Sequence, residues 1–257
     1  MQVKIATPVS TIFEKEPGAV PEILAHSHAL ELRDHSGAVD SILPRLFHFE
    51  ASILERWSDS EVEKIAQAIS ANRLVLASFH LSSCYEKPPV VDGMFAPEGK
   101  KMSENEMIKN AHENKERLEE KLEAPVIMAV ENNNYHPTGA YEIVTNPEFI
   151  GTLNEKLGFK ILLDLAHVAV TAGNRGIAAS DYLAGFDLGE VIQLHLSHPA
   201  QDGARWRDAH EELSEADWAA AKAAIGSCPQ LEFVTVEYYK DAAKLVSMLK
   251  KLKEILV

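Results

Sequence analysis

The sequence predicts a (β/α)8 barrel, in which eight parallel strands close into a ring surrounded by helices. Eight short β-rich runs alternate with longer amphipathic segments over 257 residues, a number and spacing of elements typical of this fold. Several runs are apolar almost throughout, as expected for strands buried on both faces of a parallel sheet. No G-x-G-x-x-G or Walker A sequence follows a strand, so an open doubly wound sheet is the weaker alternative.

The predicted strands are short runs rich in branched and aromatic residues. They cover residues 3–9, 29–34, 42–49, 74–80, 125–131, 159–165, 191–196 and 231–237. We find no linker, internal repeat or low-complexity tract between them. The sequence therefore predicts a single α/β domain, a TIM barrel over residues 1–257.

Five of the intervening segments carry clear helix signals. The segment after the third strand repeats Val62, Ile65 and Ile69 on one face and has acidic residues in its first turn. The other four helices are predicted to begin at a capping residue, namely Ser103, Asn146, Ser214 and Asp241.

The most irregular stretch is residues 84–101, which is rich in proline and glycine. In a barrel this loop would overhang the catalytic face, so we predict that it covers the substrate; a surface insertion is an equal alternative.

Composition narrows the class of protein. The net charge of −14 does not favour binding to phosphate backbones or anionic membranes, although a local basic patch can coexist with an acidic total. The N-terminus lacks the pattern of a signal peptide, and no run approaches the length of a membrane span, so we expect a cytoplasmic protein. Cys84 and Cys228 form no C-x-x-C pair, which argues against disulfides and thiolate metal sites.

Imidazoles and carboxylates follow the predicted strands at the ends where barrel enzymes carry their chemistry. A single histidine in such a place is more often a hydrogen-bonded core residue, but so many of these groups without matching cations would repel each other unless metal ions neutralised them. The candidate metal ligands are His48, His80, Glu131, Asp164, His167, His195, Asp208, His210 and Glu237.

The chemistry of these donors narrows the choice of metal. Imidazole and carboxylate without thiolate suit Fe, Zn or Mn better than Ca or Mg. This many donors indicate two or three divalent ions, with Glu131 and Glu237 as the natural bridging carboxylates.

Further residues near these strand ends are candidates for catalysis and substrate binding. Glu131, Glu237 and His198 are the catalytic candidates, and His198 could act as a base or as a ligand. Arg33, Asp34 and His35, at the end of the second strand, either reach the site or pair with each other. The substrate-binding candidates are Asn132, Tyr135, Trp206 and Tyr238, and ordinary packing is the alternative for the three aromatic residues.

The order of the candidate ligands resembles that of the xylose isomerase-like barrel superfamily. The complete set of nine, with its Asp-x-x-His and Asp-x-His pairs, is similar to the trinuclear zinc site of endonuclease IV. The stretches "FDLGEVIQLHLSHP", "RDAH" and "VEYYKD" resemble the multinuclear non-haem iron oxidases that modify cysteine-containing ribosomal peptides. The second resemblance implies two or three irons, with eight of the nine candidates, all but His167, as ligands.

These observations favour an iron-dependent oxidase or oxygenase that acts on a small molecule or a peptide. The resemblance also implies a companion protein that presents the substrate. A zinc-dependent phosphodiesterase of the endonuclease IV type, a metal-dependent sugar isomerase or epimerase, and a non-enzymatic metal-binding barrel remain as alternatives. Nucleic acid is not the expected substrate, because basic residues near the strand ends are sparse.

Overall fold

A computed structural model describes residues 2–256 and contains a closed barrel of eight parallel strands, as predicted. The strands are β1 (Lys4–Pro8), β2 (Ala29–Leu32), β3 (Arg45–Ser52), β4 (Leu76–His80), β5 (Val90–Val91), β6 (Met94–Phe95), β7 (Ile127–Glu131), β8 (Lys160–Asp164), β9 (Val191–Leu196), β10 (His198–Asp202), β11 (Arg205–Glu211) and β12 (Phe233–Val236). The barrel order is β1-β12-β9-β8-β7-β4-β3-β2. The two hairpins β5–β6 and β10–β11 lie outside the barrel.

Helices follow most of the barrel strands. They are α1 (Thr11–Lys15), α2 (Val20–Ala25), α3 (Asp59–Asn72), α4 (Glu104–Glu119), α5 (Pro147–Leu157), α6 (Leu165–Arg175), α7 (Ala179–Leu183), α8 (Glu215–Ser227) and α9 (Ala242–Ile255). The four predicted caps are confirmed: the side chains of Ser103, Asn146, Ser214 and Asp241 each accept a hydrogen bond from the first turn of their helix.

Beneath the strand ends, the barrel is filled by a separate cluster of buried apolar residues. Leu46 lies two residues before His48, and Ala129 lies two residues before Glu131. Because side chains alternate along a strand, His48 and Glu131 point to the same side of the sheet as the apolar residues two positions before them. The cluster takes one residue from each barrel strand: Ala6, Ala29, Leu46, Leu76, Ala129, Leu162, Ile192 and Phe233.

The loop at residues 84–101 contains the small β5–β6 hairpin and is held at the rim of the barrel. The backbone N–H of Phe95 donates to the hydroxyl of Tyr141 at 2.7 Å, and the hydroxyl of Thr138 donates to the carbonyl of Phe95 at 2.8 Å. At its tip, the guanidinium of Arg205 lies 3.4 Å from the sulfur of Met94. The loop therefore contacts both the segment after β7 and the β10–β11 hairpin. Its role as a substrate cover stays a prediction.

The connection between β2 and β3 (residues 33–44) contains no helix, in contrast to the pattern of one helix after each strand. Among residues 2–256, no helix has the length and apolar character needed to cross a membrane.

Candidate metal centre

The nine candidate ligands form one continuous cluster at the carboxyl ends of the barrel strands. Each member has a ligand atom within 4 Å of a ligand atom of the next: His48 Nε2 lies 2.6 Å from His80 Nε2, and His48 Nε2 lies 3.3 Å from Glu131 Oε2. The succession continues from Glu131 through His195, Glu237, His210, Asp208 and His167 to Asp164. The barrel strands, the first turn of α6 and the β10–β11 hairpin thus bring together all of the residues that the sequence singled out as ligands.

Glu131 occupies the middle of this cluster. Its Oε2 faces His48 and also His80, at 3.3 and 3.5 Å, whereas its Oε1 lies 3.2 Å from Nδ1 of His195. A carboxylate whose two oxygens face different imidazoles has the arrangement of a bridging ligand. Two groups of potential ligand atoms share it: His48, His80 and Glu131, and Glu131, Asp164 and His195.

Two histidines are oriented by hydrogen bonds that leave one ring nitrogen free to face the cluster. His48 directs Nδ1 to the hydroxyl of Ser78 at 2.8 Å, so its Nε2 points to Glu131. His167 donates its Nδ1–H to the carbonyl of Asn132 at 2.6 Å, so its Nε2 faces Asp164 and Asp208 in the cluster. A metal-binding histidine characteristically has its second nitrogen held in this way.

His195 shows the same arrangement with a residue that the sequence analysis missed. The Nε2–H of His195 donates to Oε2 of Glu31 at 2.9 Å, so Nδ1 faces Glu131 and Glu237. Glu31 is fully buried, and its Oε2 also accepts from the hydroxyl of Thr235. The available signal was an acidic residue in the middle of the apolar run "ALEL", where a charge is expensive to bury without a function.

Arg33 also lies at the cluster. Its guanidinium donates to Oε1 of Glu31 at 2.7 Å and also contacts Glu237. Asp34 and His35 do not pair with it: Asp34 accepts from the backbone N–H of Glu50, and His35 is exposed. The alternatives left open for the end of the second strand are therefore resolved, since Arg33 reaches the site and its two neighbours do not.

Several ligand atoms lack a partner within the protein. In the part of the chain that the structure describes, Asp164 Oδ2 and His195 Nδ1 are buried and make no hydrogen bond. Such atoms are costly to bury unless something else satisfies them. Unsatisfied acceptors, a bridging carboxylate and oriented imidazoles together form a donor set that fits divalent metal ions.

Burial and mutual repulsion perturb the protonation of the cluster. Burial raises the pKa of the Asp164 carboxyl to about 7; His167 opposes this shift, and the carboxylates of Glu237 and Glu131 add to it. Burial also lowers the pKa of His80 to about 3, and neighbouring His48 acts in the same direction. Near pH 7 and without a metal, the Asp164 carboxyl is therefore partly protonated and His80 is neutral, and a bound cation would displace the proton of Asp164.

Asp208 and His210 reach the cluster from the β10–β11 hairpin. His210 Nε2 lies 3.0 Å from Asp208 Oδ2, and the ring of His210 packs against Tyr239 with 5.0 Å between centroids. The backbone of His210 has a φ of +46°, a conformation that residues other than glycine rarely adopt. Strain of this kind persists where the surrounding structure imposes it, often at functional sites.

The other predicted site residues lie around the cluster rather than within it. Asn132 is fully buried and braces Asp164, accepting from its backbone N–H at 2.7 Å. The ring of His198 directs Nδ1 to Asp217 at 2.7 Å, and its side chain is 40% exposed.

The predicted substrate-binding residue Tyr238 packs in the hydrophobic core. The hydroxyl of the next residue, Tyr239, donates to Glu237 at 3.1 Å.

The remaining two aromatic candidates are held by α6, and Tyr135 also by Glu142 in the turn before α5. The hydroxyl of Tyr135 donates to Glu142 at 3.1 Å, and the guanidinium of Arg175 lies 4.5 Å from the centre of the Tyr135 ring. The backbone of Trp206 exchanges two hydrogen bonds with the side chain of Asn174. Both are thus fixed near the rim, and their contact with substrate stays a prediction.

The substitution Glu31→Gln should weaken metal binding although Glu31 is not among the predicted ligands. It removes the negative charge that accepts the Nε2–H of His195, and losing such a partner commonly weakens metal affinity by about 10–100-fold. Competition with a chelator measures this loss. Glu22→Gln, which removes a surface ion pair with Lys250, is the matched control. An unchanged chelator titration in Glu31→Gln would show that His195 needs no such support.

Comparison with known proteins identifies relatives of this chain by sequence and by fold. Residues 53–256 match the family described as the RiPP precursor modification enzyme MbnB/TglH/ChrH. A UPF0276 protein of Caulobacter vibrioides is 29% identical over 106 residues, which cover 41% of this chain and 37% of that protein. A UPF0276 protein of Rhizorhabdus wittichii is 34% identical over 83 residues, covering 32% and 30%. The matches thus span only about a third of the length of these curated relatives.

The fold is shared with solved structures of low sequence identity. A xylose isomerase domain protein from Planctomyces limnophilus superposes with a TM-score of 0.64 at 11% identity, covering 99% of this chain and 96% of that one. The structure of an L-ribulose 3-epimerase gives a TM-score of 0.59 at 12% identity, covering 99% and 94%. At these identities the likeness shows the fold alone, which confirms the predicted xylose isomerase-like barrel.

The family match covers well over half of the chain, and it includes every predicted ligand except His48. Glu31 and Arg33 also precede the matched segment. The resemblance to peptide-modifying enzymes is therefore confirmed at the level of the family, and this chain belongs to the MbnB/TglH/ChrH family of RiPP precursor modification enzymes.

Proposed function

We propose that this chain is an iron-dependent oxidase or oxygenase with a multinuclear centre, acting on a peptide or a small molecule. The observation that carries the proposal is the continuous cluster of nine imidazole and carboxylate ligands in a member of a peptide-modifying family. Bound iron would supply the activation of dioxygen for oxidation of the substrate.

Two or three ions would bind at different parts of the cluster, each held by its own group of residues. His48, His80 and Glu131 would hold one ion, and Asp164, His195 and Glu237 would join Glu131 in holding a second. The remaining donors lie close together and could hold a third ion. They are Asp208 and His210 in β11 and His167 in α6.

The protein side chains around the ligands set their charge and protonation. Arg33 offsets part of the negative charge of Glu31 and Glu237. Burial and the charge of Glu237 raise the pKa of Tyr239 well above its usual value, so its hydroxyl stays protonated and donates to Glu237. His198, oriented by Asp217 and open to solvent, is a candidate base for moving a substrate proton, as are Glu131 and Glu237.

The proposal includes the substrate and its delivery. A precursor peptide fits the family description. That the peptide contains cysteine follows from the resemblance of the sequence to the multinuclear iron oxidases, and a companion protein that presents the peptide is part of the proposal. We do not propose nucleic acid or a membrane as a partner, because the net charge is −14 and phosphate contacts would need basic residues. A cytoplasmic location is also part of the proposal.

One observation favours a second function, a zinc-dependent phosphodiesterase. His167 lies 3.7 Å from Asp208, which completes the nine-ligand pattern that resembles endonuclease IV. A metal-dependent sugar isomerase or epimerase is the third candidate. It is weaker, because a single ion would use fewer than half of the ligands and because the epimerase structures share only the fold with this chain.

Metal content and oxygen uptake test the proposal. Protein purified without added metal is analysed by plasma mass spectrometry, and dioxygen consumption is measured with a short cysteine-containing peptide. We expect two or three irons per chain and oxygen uptake that disappears when serine replaces the cysteine of the peptide. Zinc together with nicking of abasic DNA would support the phosphodiesterase instead. A chain that binds no metal would overturn both proposals.

A further inference from the structure

A cavity of about 610 Å³ lies outside the barrel, beside the connection that contains no helix. It is bounded by the outer faces of β2 and β3 on one side and by α3 on the other. Because residues 33–44 form an irregular connection, no helix packs over these two strands at this position. The cavity is separate from the mouth of the barrel, and Arg33 is the one residue named at the metal centre that also lines it.

The walls of the cavity are largely apolar and partly aromatic. Phe47 and Phe49 project outward from β3, and their rings stack with 4.0 Å between centroids. The wall is completed by Leu30 of β2, Trp57 just before α3 and Ile65 of α3. Each of these five side chains is less than a tenth exposed. The cavity is therefore a slot that admits a small molecule, and not an open face on which a helix could lie.

One partly buried cation in the lining has only neutral hydrogen-bond partners. The guanidinium of Arg45 donates to Oδ1 of Asn72 at 3.0 Å and to the carbonyl of Val39 at 3.4 Å, and both acceptors are neutral. Within residues 2–256, Arg45 takes part in no ion pair. A partly buried guanidinium with only neutral partners retains the capacity to bind a carboxylate in a bidentate manner.

The other charged residues of the lining are already engaged or lie at its edge. Arg33 is bound to two carboxylates of the metal centre. Asp34 accepts from the backbone N–H of Glu50, and Glu61 accepts at the N-terminus of α3. Lys64 is exposed and adds a further positive charge. Because the charge of Arg33 is neutralised by the carboxylates of the metal centre, two cations and two anions remain in the lining, and Arg45 is the partly buried cation among them that has no anionic partner.

We propose that this cavity binds a small carboxylic acid with an apolar body. The carboxylate pairs with Arg45, and the body lies against Phe47, Phe49 and Trp57. The volume is within the range of about 300–1,000 Å³ that is usual for small-molecule sites. The combination of an apolar slot with one unpaired guanidinium distinguishes this ligand class from neutral lipids and from hydrophilic anions.

The test is a calorimetric titration of the metal-loaded protein with decanoate. We expect saturable binding with one decanoate per chain, and at least tenfold weaker binding of 1-decanol and of acetate. In Arg45→Met, decanoate should bind at least tenfold more weakly, while 1-decanol should be unaffected. Arg45→Lys keeps the charge and should retain most of the affinity. Unchanged metal content in both variants confirms that they fold.

A second variant tests the position of the ligand. Ala68 lines the cavity from α3, and Ala68→Phe should fill part of the volume. Decanoate and 1-decanol should then both lose affinity. The proposal is wrong if decanoate does not saturate, if Arg45→Met binds it as tightly as the unmodified chain, or if Ala68→Phe leaves its affinity unchanged.

Discussion

The substitution Glu131→Gln should remove most of the bound metal, because this residue joins two groups of ligands. Its Oε2 faces His48 and His80, and its Oε1 faces His195 at 3.2 Å. An amide is a poor bridge, because only one of its two terminal atoms can accept a metal bond. Losing a mere hydrogen-bonding partner of a ligand weakens metal affinity by about 10–100-fold, so losing this ligand should weaken affinity by more than about 100-fold.

The effect of Glu131→Gln should exceed that of Asp208→Asn. Asp208 contacts His210 and His167 at one side of the cluster and belongs to no group that includes Glu131. We expect Asp208→Asn to lose part of the metal and Glu131→Gln to lose nearly all of it, as measured by metal-to-protein ratio after dialysis. Glu142→Gln is the control, because it removes a carboxylate that accepts a hydrogen bond from Tyr135 outside the cluster. Full metal content in Glu131→Gln would mean that the assignment of the centre is wrong.

The fold and most of the centre were predictable because they depend on regular features of the chain. Apolar runs of strand length predict strands whatever their partners are, and eight of them predict a closed barrel. Polar residues at the carboxyl ends of those runs then meet at one rim, which explains why positions as distant as His48 and Glu237 could be placed together. Hydrophobic periodicity and topology were sufficient for these conclusions.

Glu31 and Arg33 were harder to assign because their roles depend on packing across the barrel. Glu31 lies within β2, and its partner His195 is 164 residues away. The sequence shows an acidic residue in an apolar strand, but not the imidazole that it orients. Register between distant strands decides this contact, and no local pattern encodes that register.

The β10–β11 hairpin was also missed, although its turn had a recognisable signal. The sequence Asp202-Gly203 precedes the second strand, and Gly203 adopts a φ of +59° that favours glycine. A D-G pair between short runs is a common hairpin signal. The segment is dense in imidazoles and carboxylates and lacks a long apolar run, yet its backbone pairs from His198 to Glu211. The pairing matters because it positions Asp208 and His210.

The packing of this hairpin against α6 leads to the second large effect, which is expected for Gly173→Ala. A Cβ atom at Gly173 would overlap Cδ1 of Trp206 and would lie 2.6 Å from its Nε1. The indole cannot move away easily, because the backbone of Trp206 is held by two hydrogen bonds, one donated to the side chain of Asn174 and one accepted from it. The hairpin must therefore shift. Overpacking of this kind typically lowers the free energy of unfolding by about 1–3 kcal/mol.

The direction of this effect is informative because alanine normally stabilises a helix. Gly151 lies in the interior of α5, and a Cβ atom there would meet nothing within 4 Å. Gly151→Ala should therefore raise the free energy of unfolding by about 0.5–1 kcal/mol. Urea unfolding of both variants should give opposite signs, and only Gly173→Ala should also lose metal, because Asp208 and His210 follow Trp206 on the displaced strand. If both variants were stabilised and kept their metal, the contact between Trp206 and α6 would not position the metal ligands.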